Sequence, residues 1–455
     1  MSNPVRSVAV ILAAGKGTRM KSARPKVMHE VCERPMVQWA VDAAFGAECT
    51  DVLVVIGHGG DLVEQSLGER GDLRLRTTWQ HEQRGTGHAA QVAMLAVPAD
   101  VDEVVLYYGD CPLLRAEDVR AVRDARSGHA MAMAVCELAD PRGYGRVLRG
   151  ADGRVTRVCE QKDLVSPQEH SVREVNPGVY AFDAAFLRNA LGGLQPDNAQ
   201  GEYYLTDLVQ AAARAGDPCL TVEVPSDHTD GINDRAQLAV AEARMNACIV
   251  HNLRLAGVTV HEGARVGAHV VVEEDAVIES GVVLRGKTHV GRGALIDVGS
   301  VLTDAVVRAG AKVGPFAHLR PGADIGEQAH VGNFVEVKKT VLGARSKANH
   351  LAYLGDGIIG DDVNVGAGVI FCNYDGFNKQ ITTIHDGAFV GSDSQIVAPV
   401  TIGKGAYVGT GTTVTRDVPA GALALGRAKQ ENKEGYADKL RARMRATKLA
   451  MKGTS

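Results

Sequence analysis

A glycine-rich segment after a short aliphatic run is the first part of the chain that suggests chemistry. It reads Leu12-Ala13-Ala14-Gly15-Lys16-Gly17-Thr18-Arg19-Met20. Small residues in such a turn let backbone N–H groups approach phosphate oxygens, while Lys16, Arg19 and Lys26 add positive charge. The segment lacks the spacing of a Walker loop, and the GxGxxG pattern fails at Met20. A tight turn with a few surface cations is the alternative interpretation.

Two further candidate groups lie where predicted elements end or begin. Asp110 ends the run Tyr107-Tyr108-Gly109-Asp110, at the position where an α/β sheet presents its ligands. A carboxylate there can hold Mg²⁺, which prefers hard oxygen ligands. Gln80 and Gly85-Thr86-Gly87 form a second turn, suited to hydrogen bonds with a nucleotide base. The alternatives are a turn-forming aspartate and an ordinary helix N-cap at Gly85-Thr86.

His350 is the candidate for proton-transfer chemistry in the second half of the chain. A reaction in which the attacking group loses a proton needs a nearby base to accept that proton. Histidine ordinarily titrates near pH 6.5, so His350 suits the role of base. Glu336 lies about one structural repeat earlier and is expected to orient the imidazole. The alternative is a surface histidine, since the chain has 15 of them.

The elements that position the first candidates form an α/β pattern up to about residue 235. Continuous aliphatic runs at 8–12, 52–56 and 104–107 predict strands buried on both faces of a mainly parallel sheet. The apolar spacing of residues 35–45 and 86–96 predicts helices between them. Residues 235–256 lack Pro and Gly and predict one helix that joins two domains.

From about residue 258 the pattern changes to a period of six. Period six fits neither a helix nor a lone strand, but it is typical of a hexapeptide β-helix, in which each aliphatic side chain points inward. The phase slips by one residue after Leu302 and resumes a last time at Ile384. The aliphatic positions are Val260, Val266, Val272, Ile278, Leu284, Val290, Ile296, Leu302, Val307, Val313, Leu319, Ile325, Val331, Val337, Ile384, Val390, Ile396, Ile402, Val408 and Val414.

The period fails at residues 344–357 and 372–383, which are expected to form functional loops outside the stack. His350 and Tyr353 lie in the first segment, and Asn373, Tyr374 and Lys379 in the second. Residues 430–452 are basic and rich in alanine, which favours a solvated helix or a frayed tail over a nucleic-acid role.

Composition limits the classes of function. A length of 455 residues predicts two or three domains, and a net charge of −4 argues against a nucleic-acid or membrane-surface binder. The eight cysteines are scattered without a CxxC pair, as in a reduced cytosolic protein. No apolar run approaches the roughly 18 residues of a membrane span, so we expect a soluble, cytoplasmic protein.

Several of these motifs resemble a known family. LAAGKGTRM with the following PKV, and YYGDCPL, resemble the signatures of sugar-nucleotide pyrophosphorylases. With the hexapeptide repeats behind them, residues 5–427 resemble the bifunctional bacterial N-acetylglucosamine-1-phosphate uridyltransferase / glucosamine-1-phosphate acetyltransferases. The resemblance implies a Rossmann-like α/β nucleotidyltransferase domain at 1–235, a linker helix at 236–256, and a left-handed parallel β-helix acetyltransferase domain at 257–455.

The same resemblance implies the residues of the first site. Magnesium would lie on Asp110 and Asn233, and UTP would react with N-acetylglucosamine 1-phosphate to release pyrophosphate. The family pattern leads us to expect a small hydroxyl residue after Asn176, where this chain has Pro177. The remaining nucleotide and sugar contacts would be Leu12, Ala13, Ala14, Gly15, Lys26, Gln80, Gly85, Thr86, Tyr108, Gly109, Gly145, Glu160 and Asn176.

For the second site, the resemblance implies His350 as the proton acceptor in acetyl transfer from acetyl-CoA to glucosamine 1-phosphate. The amino-sugar phosphate and hydroxyl contacts would be Arg320, Lys338, Tyr353, Asn364 and Lys379. The acetyl-CoA contacts would be Ala367, Asn373, Tyr374, Ser392, Thr410 and Arg427. Asn373-Tyr374-Asp375-Gly376 could also be simply a turn.

The resemblance further implies a homotrimer, with acetyltransferase sites between subunits, and a product that supplies peptidoglycan and lipopolysaccharide synthesis. Two other hypotheses stay open at this point. The chain could be a nucleotidyltransferase whose β-helix only assembles the oligomer. It could also be a non-catalytic scaffold, although that leaves the spacing of Asp110, Asn233 and the glycine-rich turn unexplained.

Overall fold

The structure is a computed structural model that describes residues 5–452, so the ends of the predicted domains, residues 1–4 and 453–455, lie outside it. It divides into two compact units. The first comprises the chain up to Asn252 and the short segment Val266–Ala268, and the second comprises Leu253–Arg265 and the chain from His269 onward.

The first unit alternates strands and helices as the aliphatic runs predict. Its strands are β1 Ser7–Leu12, β2 Glu30–Val31, β3 Arg34–Pro35, β4 Asp51–Ile56, β5 Leu75–Trp79, β6 Glu103–Tyr108, β7 Met131–Glu137, β8 Gly145–Arg149, β9 Val155–Cys159, β10 Glu174–Asn176, β11 Tyr180–Asp183 and β12 Leu220–Glu223. Its helices are α1 Met36–Gly46, α2 Gly60–Gly68, α3 Thr86–Ala96, α4 Ala116–Ala125, α5 Pro167–Ser171, α6 Ala184–Leu191, α7 Asp207–Arg214 and α8 Arg235–Leu255, with 3₁₀ turns at Thr18–Met20, Lys26–Met28 and Ser226–His228.

The main sheet of this unit is mixed rather than mainly parallel. Its order is β5-β4-β1-β6-β11-β7-β10-β8-β9, with β12 beside β7. The strands from β5 to β6 run parallel, whereas β11, β10 and β9 pair antiparallel with their neighbours. The parallel half brings the carboxyl ends of β1 and β6 together, which is where Rossmann-like sheets bind ligands. The antiparallel half adds a second wall.

Two hydrophobic cores cover the two faces of the sheet. Alternate residues of β1 divide between them, Val8 and Val10 facing one core and Ala9 and Ile11 the other. All four side chains are completely buried. Burial on both faces explains why the strand is a continuous aliphatic run rather than an alternating one. The predicted strands and helices of this part are therefore confirmed, with ends that differ by one or two residues.

The second unit is a column of short parallel strands, confirming the interpretation of the period-six pattern. These strands are β13 Thr259–Val260, β14 Arg265–Val266, β15 Val271–Val272, β16 Val277–Ile278, β17 Val283–Arg285, β18 His289–Val290, β19 Leu295–Ile296, β20 Val301–Thr303, β21 Val306–Val307, β22 Lys312–Val313, β23 His318–Leu319, β24 Asp324–Ile325, β25 His330–Asn333, β26 Glu336–Leu342, β27 Lys347–His350, β28 Tyr353–Ile359, β29 Asn364–Val365, β30 Ile370–Cys372, β31 Thr382–Ile384, β32 Phe389–Val390, β33 Gln395–Val397, β34 Val400–Ile402, β35 Tyr407–Val408, β36 Thr413–Val414 and β37 Leu423–Ala424.

Strand register shows how the hexads stack. Val260 pairs with Ile278, and Ile278 with Ile296, so three hexads complete one coil. Ile296 then pairs with Val313, one residue early, which accounts for the phase slip in the sequence. Each predicted aliphatic position is buried. The repeats and the parallel pairing are consistent with the left-handed β-helix that the resemblance implies.

Of the two breaks in the period, the first is not a loop. Residues 347–350 and 353–359 are strands that continue the stack, with Ala348 paired to Val331 and Leu354 to Val337. The prediction of an external loop at 344–357 is therefore wrong. The inward position is occupied by Ala348, which is fully buried but too small to stand out as an aliphatic repeat residue. Residues 373–381 do lie outside the strands, as predicted.

The remaining predictions concern the ends and the surface. The linker segment is the 21-residue helix α8, and the basic tail forms the exposed helix α9, Tyr436–Lys452. All eight cysteines are free thiols. Among the described helices, none is both long and apolar enough to span a lipid bilayer.

Candidate active sites

A cleft of about 530 Å³ opens in the first unit where β1 and β6 end. The turn after β1 is held by hydrogen bonds from Ala13 N to Val55 O and from Gly109 N to Leu12 O. Among the described residues that the family resemblance assigns to the first site, only Gly109 stays out of the cleft lining. Those that line it are Leu12, Ala13, Ala14, Gly15, Lys26, Gln80, Gly85, Thr86, Tyr108, Asp110, Gly145, Glu160, Asn176 and Asn233. Lys16, expected to add positive charge at the turn after β1, does not line the cleft either, whereas Arg19 does.

Opposite charges converge at one end of this cleft. The Lys26 ammonium group forms an ion pair with the Asp110 carboxylate, and both side chains are largely buried. Lys26 Nζ also donates to Asn233 Oδ1 at 3.1 Å, and Arg19 donates to the same oxygen at 2.8 Å. Although Asp110 and Asn233 are far apart in sequence, their oxygens therefore share a cation. Two hard oxygen donors beside two positive groups can hold both a divalent cation and a polyphosphate.

The turn expected to contact the nucleotide base has a backbone conformation that favours glycine. Gly85 has φ +105°, and a β-carbon there would lie 2.5 Å from the carbonyl oxygen of Tyr203. Gln80 is buried and donates to the Gly85 carbonyl at 3.3 Å. Thr86 does not cap its helix; its hydroxyl accepts from Leu205 N at 3.1 Å. The N-cap alternative is therefore confirmed for Gly85, which is the N-cap residue of α3, although no side chain caps the helix.

The opposite wall comes from the antiparallel half of the sheet. Gly145 pairs with Asn176 in adjacent strands, and Glu160 follows directly after β9. Burial raises the pKa of Glu160, while the hydroxyl of Thr206 donates to its carboxylate at 3.1 Å. Asn176 donates to the Tyr180 hydroxyl at 2.6 Å and accepts from Gly178 N at 3.0 Å. These contacts hold the amide of Asn176 despite the unexpected Pro177.

Several residues in the cleft lining were missed by sequence reasoning. Gln237 accepts from Asn233 N at 2.7 Å, and its place in the first turn of α8 was a usable signal. Gly178 has φ +87° and packs against the Tyr108 ring, where a β-carbon would overlap Cε2. The other missed lining residues include Gln83, Arg142, Gly143, Tyr144, Pro177, Glu202, Thr229 and Gly231. Most lie in loops without a local motif.

In the second unit, the partner of His350 differs from the expected one. His350 Nδ1 lies 2.8 Å from Asn333 Oδ1, in the adjacent coil. Glu336 instead accepts from Arg320 at 2.7 Å and pairs in register with Tyr353. The prediction that Glu336 orients the imidazole is therefore wrong. The 17-residue coil in this region brings residue 333, and not residue 336, opposite His350.

A group of polar side chains lies on the face that contains β26 and β28. The ammonium of Lys338 is 3.6 Å from the Asp356 carboxylate, which also accepts from Asn373. Lys379 contacts Lys338, and this neighbouring positive charge lowers the pKa of Lys379. Arg320 and Tyr353 belong to the same surface through their pairing with Glu336. Such adjacent cations can bind a phosphate group.

Three of the six residues expected on the acetyl-CoA side, Ala367, Ser392 and Thr410, occupy equivalent positions in successive coils. Val365 pairs with Val390 and Val390 with Val408, which aligns Ala367, Ser392 and Thr410 two residues further on. Ala367 O accepts from Asp393 N, and Ser392 O accepts from Gly411 N. The register of Ala348 with Val365 extends the row to His350, opposite Ala367.

Three of the expected residues have other surroundings. The guanidinium of Arg427 donates to the Thr410 carbonyl, so Thr410 contributes a backbone contact at the end of this row. Asn364 lies between Lys347 and Phe389 in the neighbouring sheet, apart from the group around Lys338. Tyr374 is exposed in the 373–381 loop and donates to Gly376 O, so this segment is indeed a turn.

Known proteins resemble both units. A family model described as a MobA-like NTP transferase domain matches residues 9–186, and one described as bacterial transferase hexapeptide (six repeats) matches residues 381–416. The bifunctional protein GlmU of Sorangium cellulosum is 55% identical over 98% of both chains. The bifunctional proteins GlmU of Anaeromyxobacter dehalogenans and Pelobacter propionicus are 48% and 46% identical, over 98% and 94% of this chain and 95% and 97% of their own.

Proposed function

Because this chain belongs to the GlmU family of bifunctional proteins, we propose that its two sites catalyse successive steps with the residues described above. The chain is an acetyltransferase and a uridyltransferase of UDP-N-acetylglucosamine synthesis. Glucosamine 1-phosphate receives an acetyl group from acetyl-CoA, and the product then reacts with UTP. The observation that carries the assignment of the uridyltransferase site is the convergence of Asp110, Asn233 and Lys26 in one cleft.

In uridylyl transfer, a phosphate oxygen of N-acetylglucosamine 1-phosphate attacks the α-phosphorus of UTP. A new P–O bond forms, and the bond to the β-phosphate breaks to release pyrophosphate. The chain supplies position and charge rather than a nucleophile. Backbone N–H groups after β1 bind phosphate oxygens, Lys26 and Arg19 neutralise them, and Gly145, Glu160 and Asn176 hold the sugar.

The donor set fits a magnesium ion. Asp110 and Asn233 present a carboxylate and an amide oxygen, which already share the cationic group of Lys26. Magnesium is commonly held by one or two such side chains together with substrate phosphates. When bound there, Mg²⁺ supplies positive charge that offsets the charge of the triphosphate. Lys26 then remains free to contact phosphate.

In acetyl transfer, the amine of glucosamine 1-phosphate attacks the thioester carbonyl of acetyl-CoA. With Asn333 Oδ1 as the acceptor, His350 carries its proton on Nδ1 and presents Nε2 as the base. The amine proton passes to Nε2, an N–C bond forms, and the C–S bond breaks to release coenzyme A. Lys338, Lys379 and Arg320 bind the phosphate, and the row of Ala367, Ser392, Thr410 and Arg427 binds acetyl-CoA.

A homotrimer is the proposed assembly, with domains at 1–235 and 257–455 joined by a helix at 236–256, and a cytoplasmic location. Exposed apolar side chains next to His350 support the assembly. Phe316 and Phe334 stack with ring centroids 5.9 Å apart and are more than half exposed, as is Leu351. Exposed aromatic rows of this kind mark interaction surfaces. A second copy there would cover the acetyltransferase site.

Two assays of the intact chain test the proposal. Acetyl-CoA-dependent thiol release with glucosamine 1-phosphate measures the first step, and UTP-dependent pyrophosphate release with N-acetylglucosamine 1-phosphate measures the second. A chain whose β-helix only assembles an oligomer would release pyrophosphate but no thiol. A chain active in neither assay would contradict both assignments.

A further inference from the structure

Arg146 is a buried cation beside the sugar wall of the first cleft. The residue is only 2% exposed, and burial lowers the pKa of its guanidinium group. Within residues 5–452, no carboxylate pairs with it and its Nε finds no hydrogen-bond acceptor. Arg149 on the same strand has the ordinary arrangement, with its Nε and one Nη donating to the two oxygens of the Glu174 carboxylate. Because a buried charge without a counter-ion is costly, the position of Arg146 calls for an explanation.

The acceptors of Arg146 are neutral and belong to two segments of the cleft wall. One Nη donates to the carbonyl of Tyr144, and the other donates to Gln161 Oε1 at 2.9 Å. The same amide oxygen accepts from the backbone N of Gly143 at 3.1 Å. Arg146 and Gln161 thus tie the 143–145 turn at two of its peptide units.

The two segments carry the residues to which the sugar is assigned. Gly145 lies directly before Arg146, and Glu160 lies directly before Gln161. Arg146 also pairs with Cys159 on one side and with Val175 on the other, so β8 lies between the strands that lead to Glu160 and Asn176. Arg146 therefore belongs to the middle strand of the three that carry the proposed sugar contacts.

The peptide between Tyr144 and Gly145 transmits this constraint. In a planar trans peptide, the carbonyl and the N–H point in opposite directions. Holding the Tyr144 carbonyl on Arg146 therefore also sets the direction of the Gly145 N–H. We propose that Arg146 and Gln161 are positioning residues, which set the affinity for the sugar 1-phosphate without touching it. This inference rests on the proposed function.

Two features favour this role over a general structural one. The fork of an arginine reaches two acceptors at fixed geometry, which a lysine cannot reproduce. In addition, the three hydrogen bonds made by the side chains of Arg146 and Gln161 involve only residues 143, 144, 146 and 161. The phosphate-binding turn follows β1, which does not pair with β8 or β9. Loss of the clamp should therefore affect sugar binding and leave nucleotide binding intact.

Gln161→Ala in the full-length chain tests the proposal, because Gln161 is the half-buried member of the pair and its truncation removes no core side chain. We expect the KM for N-acetylglucosamine 1-phosphate to rise about ten-fold, with the KM for UTP changed less than about two-fold. Gln161→Glu keeps an oxygen that accepts from both donors, so we expect it to stay within about three-fold of the parent.

Arg146→Lys provides the second measurement, with an expected rise in the sugar KM close to that of Gln161→Ala. Arg149→Lys is the matched control on the same strand and should leave both KM values unchanged. An equal rise in the two KM values, or no rise with Gln161→Ala, would overturn the positioning role. A parent chain that makes no UDP-N-acetylglucosamine would overturn the proposed function itself, and the parent reaction distinguishes the two failures.

Discussion

The two candidate sites differ in how much of each is enclosed by a single chain. In the first unit, Asp110, Glu160 and Asn176 are buried or half-buried around a cleft formed by loops from several strands. In the second unit, His350 and Arg427 lie exposed on the outer surface of the coil. A β-helix fills its interior with aliphatic side chains and a few small hydroxyl residues such as Ser300 and Ser346, so its charged residues face outward.

The difference indicates that the two units enclose their substrates in different ways. A Rossmann-like sheet makes a concave site at the ends of its strands from its own loops. A coil with flat faces makes rows of side chains, and a second copy of the chain is the proposed cover. Nucleotidyl transfer should therefore depend on single residues of one chain, and acetyl transfer on both residues and assembly.

The largest expected effect is a loss of uridylyl transfer, without loss of acetyl transfer, when one carboxylate of the first site is removed. Asp110→Asn removes the carboxylate that pairs with Lys26, and uridylyl transfer should fall by about 10³-fold. Acetyl transfer should stay unchanged because His350 belongs to the other unit. Pyrophosphate and thiol release measure the two activities.

The matched control for that variant is Asp72→Asn, which removes a surface carboxylate paired with Arg74. It should change neither rate. Loss of acetyl transfer in Asp110→Asn would show that the two sites are not independent.

The reciprocal variant removes the base of the second site. His350→Gln should lower acetyl transfer by about 10²- to 10³-fold, because no other group is assigned to accept the amine proton. Uridylyl transfer should be unaffected. Asn333→Ala should cause a smaller loss of acetyl transfer, since it only frees the imidazole.

His289→Gln offers a control on the same β-helix, where the histidine pairs with Glu273. It should be fully active. A fully active His350→Gln chain would instead require a different base.

The next prediction concerns the dependence of acetyl transfer, and not of uridylyl transfer, on assembly. The double substitution Phe316→Asp and Phe334→Asp places charge on the exposed aromatic row and should convert the proposed trimer to monomers. Acetyl transfer should then fall at least about ten-fold, while uridylyl transfer persists. Analytical ultracentrifugation measures the oligomeric state of the double variant, and the two assays measure its activities.

Leu73→Asp serves as the control for added surface charge, because Leu73 is 95% exposed in the first unit. It should leave assembly and both activities intact. A monomeric double variant with full acetyl transfer would mean that one chain completes the site.

The smallest expected effect concerns pH and stability. Burial raises the pKa of Glu160 in the folded chain, so the folded state binds more protons than the unfolded state between the two pKa values. Stability therefore falls as pH rises through that window, and the cost remains at higher pH. Glu160→Gln should remove this cost and raise Tm by about 2 °C at pH 7.5.

The same variant should raise the KM for the sugar 1-phosphate a few-fold, about three-fold or more, by removing a charged acceptor. The gain in Tm should disappear as pH falls below about 4, where the unfolded carboxyl is also protonated. A lower Tm of Glu160→Gln at pH 7.5 would contradict the inference that burial of the Glu160 carboxylate destabilises the fold.

Sequence reasoning predicted much of the fold and most of the residues that the structure brings together in the first cleft. The strands at β1, β4 and β6 were readable because burial on both faces leaves only aliphatic residues. The hexads were readable because each inward position sees the same aliphatic stack. The antiparallel half of the sheet was not predicted, since period and composition do not report strand direction.

The errors share a physical cause. Ala348 fills an inward position without a bulky side chain, so residues 344–357 gave the pattern of a loop. Glu336 lies only 14 residues before His350, whereas one coil takes 17 residues here and brings Asn333 opposite His350. The partners of Arg146 were likewise invisible, because Gln161 is brought to it by pairing between β8 and β9.

Local residue types alone therefore determined that β1, β4 and β6 are strands, that a glycine-rich turn follows β1, and which half of the chain repeats every six residues. Each of these depends on interactions between residues close in sequence or on a regular period. Only the tertiary structure decided the partners of individual side chains, such as Lys26 with Asn233 and His350 with Asn333. These depend on register and on chain crossings, where a shift of one residue changes which groups meet.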